Sequence, residues 1–433
     1  MTRFLSRSWC NCIAYFFFQI FASSPLLAGP LTLDTALATV ESAHPDLLLA
    51  KAERDSAIAD VDIADSRQDT SINLEGILRS GRPTFGENDF ASDNSVRLTA
   101  RKTLYDFGRS SNTKLAAKFE LNAREADLTT MLDKRRLIIM TRYFDVLLAD
   151  MENTLDRELT SVHYTNFVHG KDRMALGRIS SVELAELESI YRDTVEKRNA
   201  SAQRQRITRA MLANAMNRPS ELPDNLEDPR LPDNQRSLPA YENLLPVMLN
   251  NNSRLLAQQD LLAASQKRIE SVRAENGPIL DIEVQAADYS RTAATRDNLS
   301  AGLFLVWPLY QGNRLGSRLA REIAQFNILR ASADKLRMEL TQALLETYLD
   351  ITRLQSTARE AALKNTEYRD LQLERSRGLY ELELKSNLGT SMVETSDAKL
   401  RERRNEYLLA LSIASLEALI GRPLSQVVDN QRK

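Results

Sequence analysis

Residues 317–377 read SRLAREIAQFNILRASADKLRMELTQALLETYLDITRLQSTAREAALKNTEYRDLQLERSR, a stretch with neither glycine nor proline. Residues 109–169 form a second run of the same kind. At about 1.5 Å of rise per residue, each run predicts a helix of roughly 90 Å. A helix of that length cannot fit inside a compact globule, so the chain is predicted to be elongated.

Each run carries an apolar stripe in which the residues recur every three or four positions, as on one face of a long helix. Each stripe must therefore pack against other helices along its whole length, and a long soluble coiled coil is the simplest such structure. The stripe of the second run includes Leu319, Ile323, Phe326, Leu329, Leu336, Leu340, Leu344, Tyr348, Ile351 and Leu354. The stripe of the first includes Leu115, Phe119, Met131, Ile139, Tyr143, Val146, Leu147, Met151, Leu155 and Val162.

The N-terminus is predicted to be a secretory signal peptide covering residues 1–28. Arg3 and Arg7 precede an apolar segment that is too short for a membrane anchor, and Ala28 is the expected cleavage position. Both cysteines, Cys10 and Cys12, lie inside this peptide. Disulfides, thiol catalysis and thiolate metal sites are therefore not expected in the processed protein.

Composition excludes several classes of function. The formal net charge is −2, and losing Arg3 and Arg7 would make it −4, so nothing suggests a nucleic-acid partner. No stretch after residue 30 approaches the 18 or more consecutive apolar residues of a membrane helix. If the processed protein spans a membrane, it must do so with strands.

The sequence is an internal duplication. Leu104-Tyr105 recurs as Leu309-Tyr310, and Tyr143-Phe144-Asp145 recurs as Tyr348-Leu349-Asp350. We therefore expect two repeats of similar structure joined by an extended, proline-rich linker. The predicted organisation is a first repeat at 29–218, a linker at 219–239, a second repeat at 240–424 and a C-terminal tail at 425–433.

Two segments in each repeat alternate apolar and polar residues over eight to ten positions, which is typical of strands with one apolar face. The predicted strands are residues 71–80, 94–104, 279–289 and 298–307. Their length matches a tilted strand that crosses a bilayer, although a small soluble sheet capping the helices is an alternative. Aromatic residues at the strand ends are candidates for the membrane interface. They are Tyr105, Phe107, Tyr289, Trp307 and Tyr310.

Geometry then constrains the assembly. Four strands cannot close a barrel, for which about eight are needed, and open strand edges are not tolerated in lipid. Several copies must therefore contribute strands to one barrel, with all the helices on one side of the membrane. The predicted fold is mainly α with a membrane β-barrel, built from a duplicated helix-strand-strand-helix-helix repeat, in which a helical tube continues a strand barrel.

Six motifs in order resemble the TolC-like outer-membrane efflux protein family over about residues 32–424. The motifs are Pro45-Asp46-Leu47, Thr103-Leu104-Tyr105-Asp106-Phe107-Gly108, Leu176-Gly177-Arg178-Ile179-Ser180, Trp307-Pro308-Leu309-Tyr310-Gln311-Gly312, Leu388-Gly389-Thr390 and Gly421-Arg422-Pro423. Each motif is weak alone, but their order within a duplicated chain is specific.

The resemblance implies a homotrimer with a twelve-stranded β-barrel in the outer membrane and a long periplasmic α-barrel. It also implies partners, namely outer-membrane lipid, a periplasmic adaptor (membrane fusion) protein and an inner-membrane pump of the ABC or RND type. The function implied is an exit duct for efflux or type I secretion. The competing hypothesis is a soluble periplasmic coiled-coil adaptor or scaffold.

No catalytic or metal-binding pattern is present, and no cofactor is expected. The three histidines, His44, His163 and His169, lack partners at metal-ligand spacing, and acidic pairs on helices this polar are typical of solvated faces. The chain is therefore not predicted to be an enzyme.

The turns between the long helices and the returning helices are candidates for adaptor docking. Ser180 with Glu183, and Ser391 with Glu394, each fit a capping box that would begin a returning helix. Gly170, Gly177, Gly378 and Gly389 are expected to let the backbone turn. The candidate docking residues are Gly177, Arg178, Ser180, Glu183, Gly389, Thr390 and Ser391.

Glu394 and Asp397 are candidates for a pore gate, because residues three apart share a helix face. Threefold symmetry would place six carboxylates around a narrow tip, which would attract cations. The resemblance implies paired acidic residues near the second turn held by Tyr and Arg contacts, for which Arg377 and Tyr380 are the candidates. The acidic residues are displaced here from their usual positions in the family.

Overall fold

The computed structural model describes residues 30–82, 89–291, 296–384 and 387–426. The predicted signal peptide and residues 427–433 of the predicted tail lie outside this part of the chain.

In the described part of the first repeat there are four helices and four strands. The helices are α1 (Leu33–Leu37), α2 (Pro45–Ser66), α3 (Arg109–Ala175) and α4 (Ser181–Ala215). The strands are β1 (Ser71–Ile77), β2 (Ser80–Gly81), β3 (Ala91–Ser92) and β4 (Ser95–Tyr105). The Nδ1 atom of His44 accepts a hydrogen bond from the Asp46 amide at 3.2 Å, so this histidine caps α2.

Among the described residues, the second repeat has the same order of long elements, but it has no counterpart of the short strands β2 and β3, and its long helical run is divided into two α-helices. Its helices are α5 (Tyr241–Asn251), α6 (Ser253–Ala274), α7 (Arg314–Arg353), α8 (Arg359–Glu381) and α9 (Leu388–Ile420). Its strands are β5 (Ile279–Tyr289) and β6 (Leu299–Val306). The linker between the repeats is mostly extended and includes a 3₁₀ turn at Pro232–Gln235.

The long runs are helical, but only the first is a single α-helix. The 67 residues of α3 span about 100 Å. The second run is interrupted by a π-helical segment, Leu354–Ala358, which the absence of glycine and proline did not predict. Within this segment the Gln355 amide donates to the Arg236 carbonyl of the linker at 2.9 Å. The altered helical turn thus lies where the linker crosses the long helix.

Helix α3 is the spine of the molecule. Near the strands it packs against α2 and α6, and farther away it packs against α4 and α9. Ion pairs mark both regions, since Glu120 of α3 binds Arg268 of α6 at 2.7 Å and Glu152 of α3 binds Arg204 of α4 at 2.7 Å. Arg404 of α9 also binds Glu152 at 2.7 Å, which joins the two repeats.

Two apolar clusters form the core, and both lie in the middle of the helical body. The first joins α1, α3, α4 and α9, and within it the Phe144 and Tyr407 rings stack at 4.6 Å. The second joins α5, α6, α7 and α9. The largest fully buried side chains in the two clusters are Ile139, Tyr143, Phe144, Leu212, Leu244, Met248, Leu340, Leu344, Ile351, Leu409 and Leu416.

Buried tyrosines fasten the linker to this core. The Tyr143 hydroxyl lies 2.7 Å from the Leu31 carbonyl and 2.6 Å from the Glu227 carbonyl, and burial raises the pKa of Tyr143 to about 12. The Tyr407 hydroxyl lies 2.8 Å from a carboxylate oxygen of Asp228. The linker is therefore part of the packed helical body rather than a free connection.

The four longer strands form one antiparallel sheet in the order β1-β4-β5-β6. Each repeat contributes one pair of strands, and the pairing of β4 with β5 joins the two repeats. A separate small pair, β2 with β3, lies at the end of the sheet away from the helices. All four long strands therefore belong to one continuous surface.

We predict that Gly421→Ala destabilises the protein more than Gly177→Ala does. Both glycines have positive φ, +69° and +66°, so either alanine is strained. At Gly421 the added Cβ would also lie 2.3 Å from the Asn251 carbonyl oxygen, whereas Gly177 faces open space. Thermal unfolding followed by circular dichroism should show an additional loss of about 1–3 kcal/mol for Gly421→Ala. Equal losses for the two variants would contradict this packing.

We also predict that Tyr143→Phe loosens the linker. The substitution preserves the ring but removes the one hydroxyl that the part-buried Leu31 and Glu227 carbonyls share, at a cost of about 0.5–1.5 kcal/mol. Limited proteolysis should cut between residues 219 and 239 faster than in the unmodified protein. Tyr164→Phe is the matched control, because that side chain is 52% exposed. Linker cleavage at the unmodified rate in Tyr143→Phe would count against the anchor.

Candidate functional site

The register of the sheet gives it one continuous apolar face. Residues that pair directly across antiparallel strands lie on the same face, and most apolar residues pair with apolar residues through all four strands. The charged residues on this face are Lys102, opposite Ile282, and Asp288, opposite Val96. This face is open to the surroundings, with Leu74 at 73% and Leu303 at 65% exposure. Its apolar members are Ile72, Leu74, Val96, Leu98, Ala100, Leu280, Ile282, Val284, Ala286, Leu299, Ala301, Leu303 and Leu305.

The opposite face is mainly polar, and on β5 and β6 it is the more sheltered of the two. Ala287 on this face is buried, and Glu283 and Gln285 are half-buried, whereas the apolar residues between them are exposed. Its polar members are Asn73, Glu75, Arg97, Thr99, Arg101, Thr103, Asp281, Glu283, Gln285 and Ser300. An exposed apolar face and a sheltered polar face are the reverse of a water-soluble sheet packed on a core.

The outer edges of the sheet are open. Within the described chain, β1 pairs only with β4 and β6 pairs only with β5. Each edge strand therefore presents a row of backbone N–H and C=O groups that another strand can pair with.

Aromatic side chains lie at both ends of the sheet, as predicted from the sequence. Tyr105, Phe107, Trp307 and Tyr310 lie where strands join helices, and all four are more than half exposed. The Trp307 indole donates to the Asn276 carbonyl at 3.1 Å. Tyr289 lies at the opposite end, with the Arg296 guanidinium 5.0 Å from its ring centroid.

The turn between α3 and α4 has the geometry expected of it. Gly177 adopts a positive φ and its amide bonds to the Met174 carbonyl at 2.8 Å. The capping box is present, with the Ser180 amide donating to Glu183 Oε2 at 2.7 Å. This backbone hydrogen bond lowers the pKa of the Glu183 carboxyl. Arg178 lies in the same exposed turn.

The second turn differs from the expectation. Helix α9 begins at Leu388, so Gly389, Thr390 and Ser391 lie in its first turn rather than before it. The capping box of Ser391 with Glu394 is therefore wrong. Ser391 is buried and its hydroxyl lies 2.8 Å from that of Ser376 on α8, where it helps to hold the two helices together.

Three of the four glycines expected at turns lie inside helices instead. Gly170 is in α3, where an added Cβ would lie 2.6 Å from Leu187 of α4, and Gly378 is in α8. A Cβ on Gly389 would lie 2.9 Å from Val162 of α3. Gly170 and Gly389 allow close packing of helices, and only Gly177 provides a turn.

The two acidic gate candidates, Glu394 and Asp397, are each paired with an arginine. Glu394 lies 2.6 Å from Arg369 of α8, and Asp397 lies 2.7 Å from Arg401 of its own helix. Arg377 and Tyr380 lie closer to the turn with exposed side chains, and among the described residues no ion pair or hydrogen bond joins them to Glu394 or Asp397.

Sequence reasoning missed Arg369 and a second contact of α9. The Ser396 hydroxyl donates to Glu158 of α3 at 2.6 Å, so α9 is held to α3 as well as to α8. The Arg369 contact would have followed from pairing α8 with α9 in the correct register, which required α9 to begin at Leu388, before Gly389. The Ser396 contact depends on how α9 packs against α3, which the sequence pattern does not give.

Other kinds of site are absent from the part of the chain that the structure describes. No group of three or more His, Cys, Asp or Glu side chains there could hold a metal ion. Among the same residues, no helix combines the length and the apolar character needed to cross a membrane.

The fold is shared with solved outer-membrane proteins, two of which are described as channels. The chain matches VceC of Vibrio cholerae with a TM-score of 0.72 at 12% identity, over 90% of this chain and 96% of that one. It matches CmeC of Campylobacter jejuni with a TM-score of 0.73 at 12% identity, over 93% of this chain and 89% of CmeC. It matches the open MtrE channel of Neisseria gonorrhoeae with a TM-score of 0.72 at 16% identity, over 90% of this chain and 89% of MtrE.

Residues 244–420 match the family model for outer membrane efflux proteins. No curated protein sequence matches the chain significantly. The matched region covers most of the second repeat, while the structural likeness covers both repeats. The family consists of channels and is not a class of enzymes. The second repeat is therefore similar to the outer membrane efflux protein family, the TolC-like family that the motifs of the sequence resemble.

Proposed function

We propose that this protein is an outer-membrane exit duct that passes substrates from a periplasmic adaptor and an inner-membrane pump to the exterior. The observation that carries the proposal is the sheet, whose apolar face is exposed on all four strands and whose polar face is the more sheltered one on β5 and β6. In a bilayer the apolar face would contact lipid, and the polar face would line a water-filled lumen. The duct itself would be passive, with neither a cofactor nor catalysis.

The open edges of the sheet support assembly from identical subunits. In lipid, the backbone groups along β1 and β6 need partners, because no water is available to them. Pairing β6 of one copy with β1 of the next satisfies both edges. Three copies would close a twelve-stranded barrel, and the trimer is the assembly that the family resemblance implies.

The helices extend the duct away from the membrane. All strands join helices at one end of the sheet, so the helical body would lie on the periplasmic side. With α3 about 100 Å long, three copies would form a tall α-barrel continuous with the strands. The localisation that follows is the outer membrane with a periplasmic extension, in either efflux or type I secretion.

The turns farthest from the strands would meet the adaptor. The first offers the exposed Leu176 and Val182 beside Gly177, Arg178 and the Ser180–Glu183 capping box. The second offers Leu382 and Leu384 with Gly389, Thr390 and Ser391 behind them. Exposed leucine and valine at a helical tip suit docking of a helical partner.

Glu394 and Asp397 would form the gate at the same end. In this structure each is paired, and Arg369 holds Glu394 across the α8–α9 hairpin. Breaking the Arg369–Glu394 ion pair would allow α8 and α9 to move apart at the tip. Arg377 and Tyr380 are exposed nearby, where they would contact a neighbouring copy.

A soluble periplasmic coiled-coil scaffold fits less well. Such a protein would expose the apolar face of the sheet to water, in a patch that runs across four strands. Contiguous apolar patches of this kind mark membrane or protein contacts.

We predict that Leu98→Arg prevents assembly whereas Thr99→Arg is tolerated. The two residues are neighbours in β4 but lie on opposite faces of the sheet. An arginine on the lipid-facing side near the bilayer centre costs about 2–4 kcal/mol per copy, and one facing a lumen costs little. The measurement is the amount of heat-modifiable oligomer in the outer-membrane fraction, resolved by electrophoresis.

Two results would contradict this proposal. One is recovery of the unmodified protein as a monomer in the soluble periplasmic fraction. The other is normal assembly of Leu98→Arg in the membrane fraction.

We predict that Glu394→Ala, Asp397→Ala and Arg369→Ala each raise the conductance of the resting channel in planar bilayers. The two acidic substitutions should also weaken cation preference, whereas Arg369→Ala should not, because it leaves both carboxylates in place. Glu374→Ala, at an exposed position of α8, is the control. Unchanged resting conductance in all three variants would remove these residues from the gate.

A further inference from the structure

The polar face of the sheet carries one carboxylate that forms no ion pair at contact distance and accepts no hydrogen bond at its Oδ1 atom. Two ion pairs lie on this face, Arg97 with Glu75 at 3.4 Å and Arg101 with Glu283 at 2.8 Å. Asp281 is the remaining charged residue, and no ion pair or hydrogen bond within the described chain engages it. Its Oδ1 atom is buried and lacks a hydrogen-bond partner. Each copy therefore presents a surplus carboxylate on this face.

An aromatic ring lies beside that carboxylate. Phe304 of β6 pairs directly with Asp281 of β5, so the two side chains project from the same face about 5 Å apart at Cβ. The ring leans along its strand over Gly302, where an added Cβ would lie 3.3 Å from Phe304 Cε2. Phe304 is 49% exposed on a face that is otherwise mainly polar. The glycine thus provides the space in which the ring lies against the sheet.

We propose that Asp281 and Phe304 form a binding site for organic cations inside the duct. This inference rests on the proposed function, because it takes the polar face to line a lumen. A substituted ammonium group can lie against the ring face while the carboxylate balances its charge. The apolar part of such a molecule would gain contact with the ring over Gly302, which a small hydrated inorganic ion could not.

The neighbouring charges favour a cation over an anion. Arg101, the nearest basic residue on this face, is close enough to interact electrostatically with Asp281, but its guanidinium is hydrogen-bonded to Glu283. Lys102 pairs with Ile282 and so projects from the opposite face. The site thus has a net charge of −1 in each copy, and a closed assembly of three copies would repeat it around the lumen.

The test measures block of the reconstituted, full-length channel by benzyltrimethylammonium, with benzenesulfonate as the anionic probe of similar size. We expect the cation to block the unmodified channel and the anion not to. Asp281→Asn and Phe304→Leu should each raise the half-blocking concentration roughly fivefold. Ser300→Ala, on the same face of β6 and without charge, should leave it unchanged, and Asp281→Glu should largely restore block.

The outcomes separate this inference from the proposed function. If the unmodified protein forms no channel, the exit-duct proposal fails first. If it conducts, but Asp281→Asn and Phe304→Leu are blocked at the unmodified concentration, the binding site is refuted while the duct stands. If Asp281→Asn does not assemble, the block of Phe304→Leu alone tests the binding site. That variant should assemble, because the half-exposed Phe304 side chain can be shortened without opening a cavity. Equal block by cation and anion would also overturn the inference.

Discussion

The unpaired backbone groups along the outer edges of β1 and β6 are the constraint on which the rest of the structure depends. A four-stranded sheet with two open edges and an exposed apolar face has no stable state as an isolated chain, either in water or in lipid. Identical neighbours can satisfy the edges, and a bilayer can cover the apolar face. The sheet therefore explains why one chain would require both a membrane and other copies of itself.

The helical body supplies what the sheet lacks, which is a rigid support built from both repeats. Helix α3 contacts helices of both repeats along its length, and Glu152 binds arginines from α4 and α9. The linker is fastened to the middle of this body by Tyr143 and Tyr407. Beyond that point the α8–α9 hairpin is joined by polar contacts such as Arg369 with Glu394, which separate at less cost than a packed apolar core. The α3–α4 hairpin is joined by aromatic rings, among them Phe167 stacked on Tyr191.

Periodicity indicated strands near the four long ones and a helix over α3, because each shows one pattern over many residues. The first predicted strand was too long, since β1 ends at Ile77 and Ser80 belongs to the separate strand β2. The Ser180–Glu183 capping box was predictable for a similar reason, since a cap is a local feature with a fixed spacing. The equivalent prediction at Ser391 failed because Asn387 ends the turn earlier, and that position depends on how α8 and α9 pack. The π-helical segment at Leu354–Ala358 was not predictable, because its contacts come from a linker more than a hundred residues away. Arg369 was missed because pairing across a hairpin requires the turn to be placed correctly.

The central claim is that β6 of one copy pairs with β1 of the next, and engineered disulfides test it most directly. Asn73→Cys on β1 and Ser300→Cys on β6 lie on the same face at the two open edges. The double variant is oxidised in intact cells beside each single-cysteine control. Further double variants, with one cysteine moved by two residues along its strand, test the other registers between β6 and β1. The account predicts covalent dimers and trimers for at least one register and none for the single variants. Monomers alone in every register would contradict it.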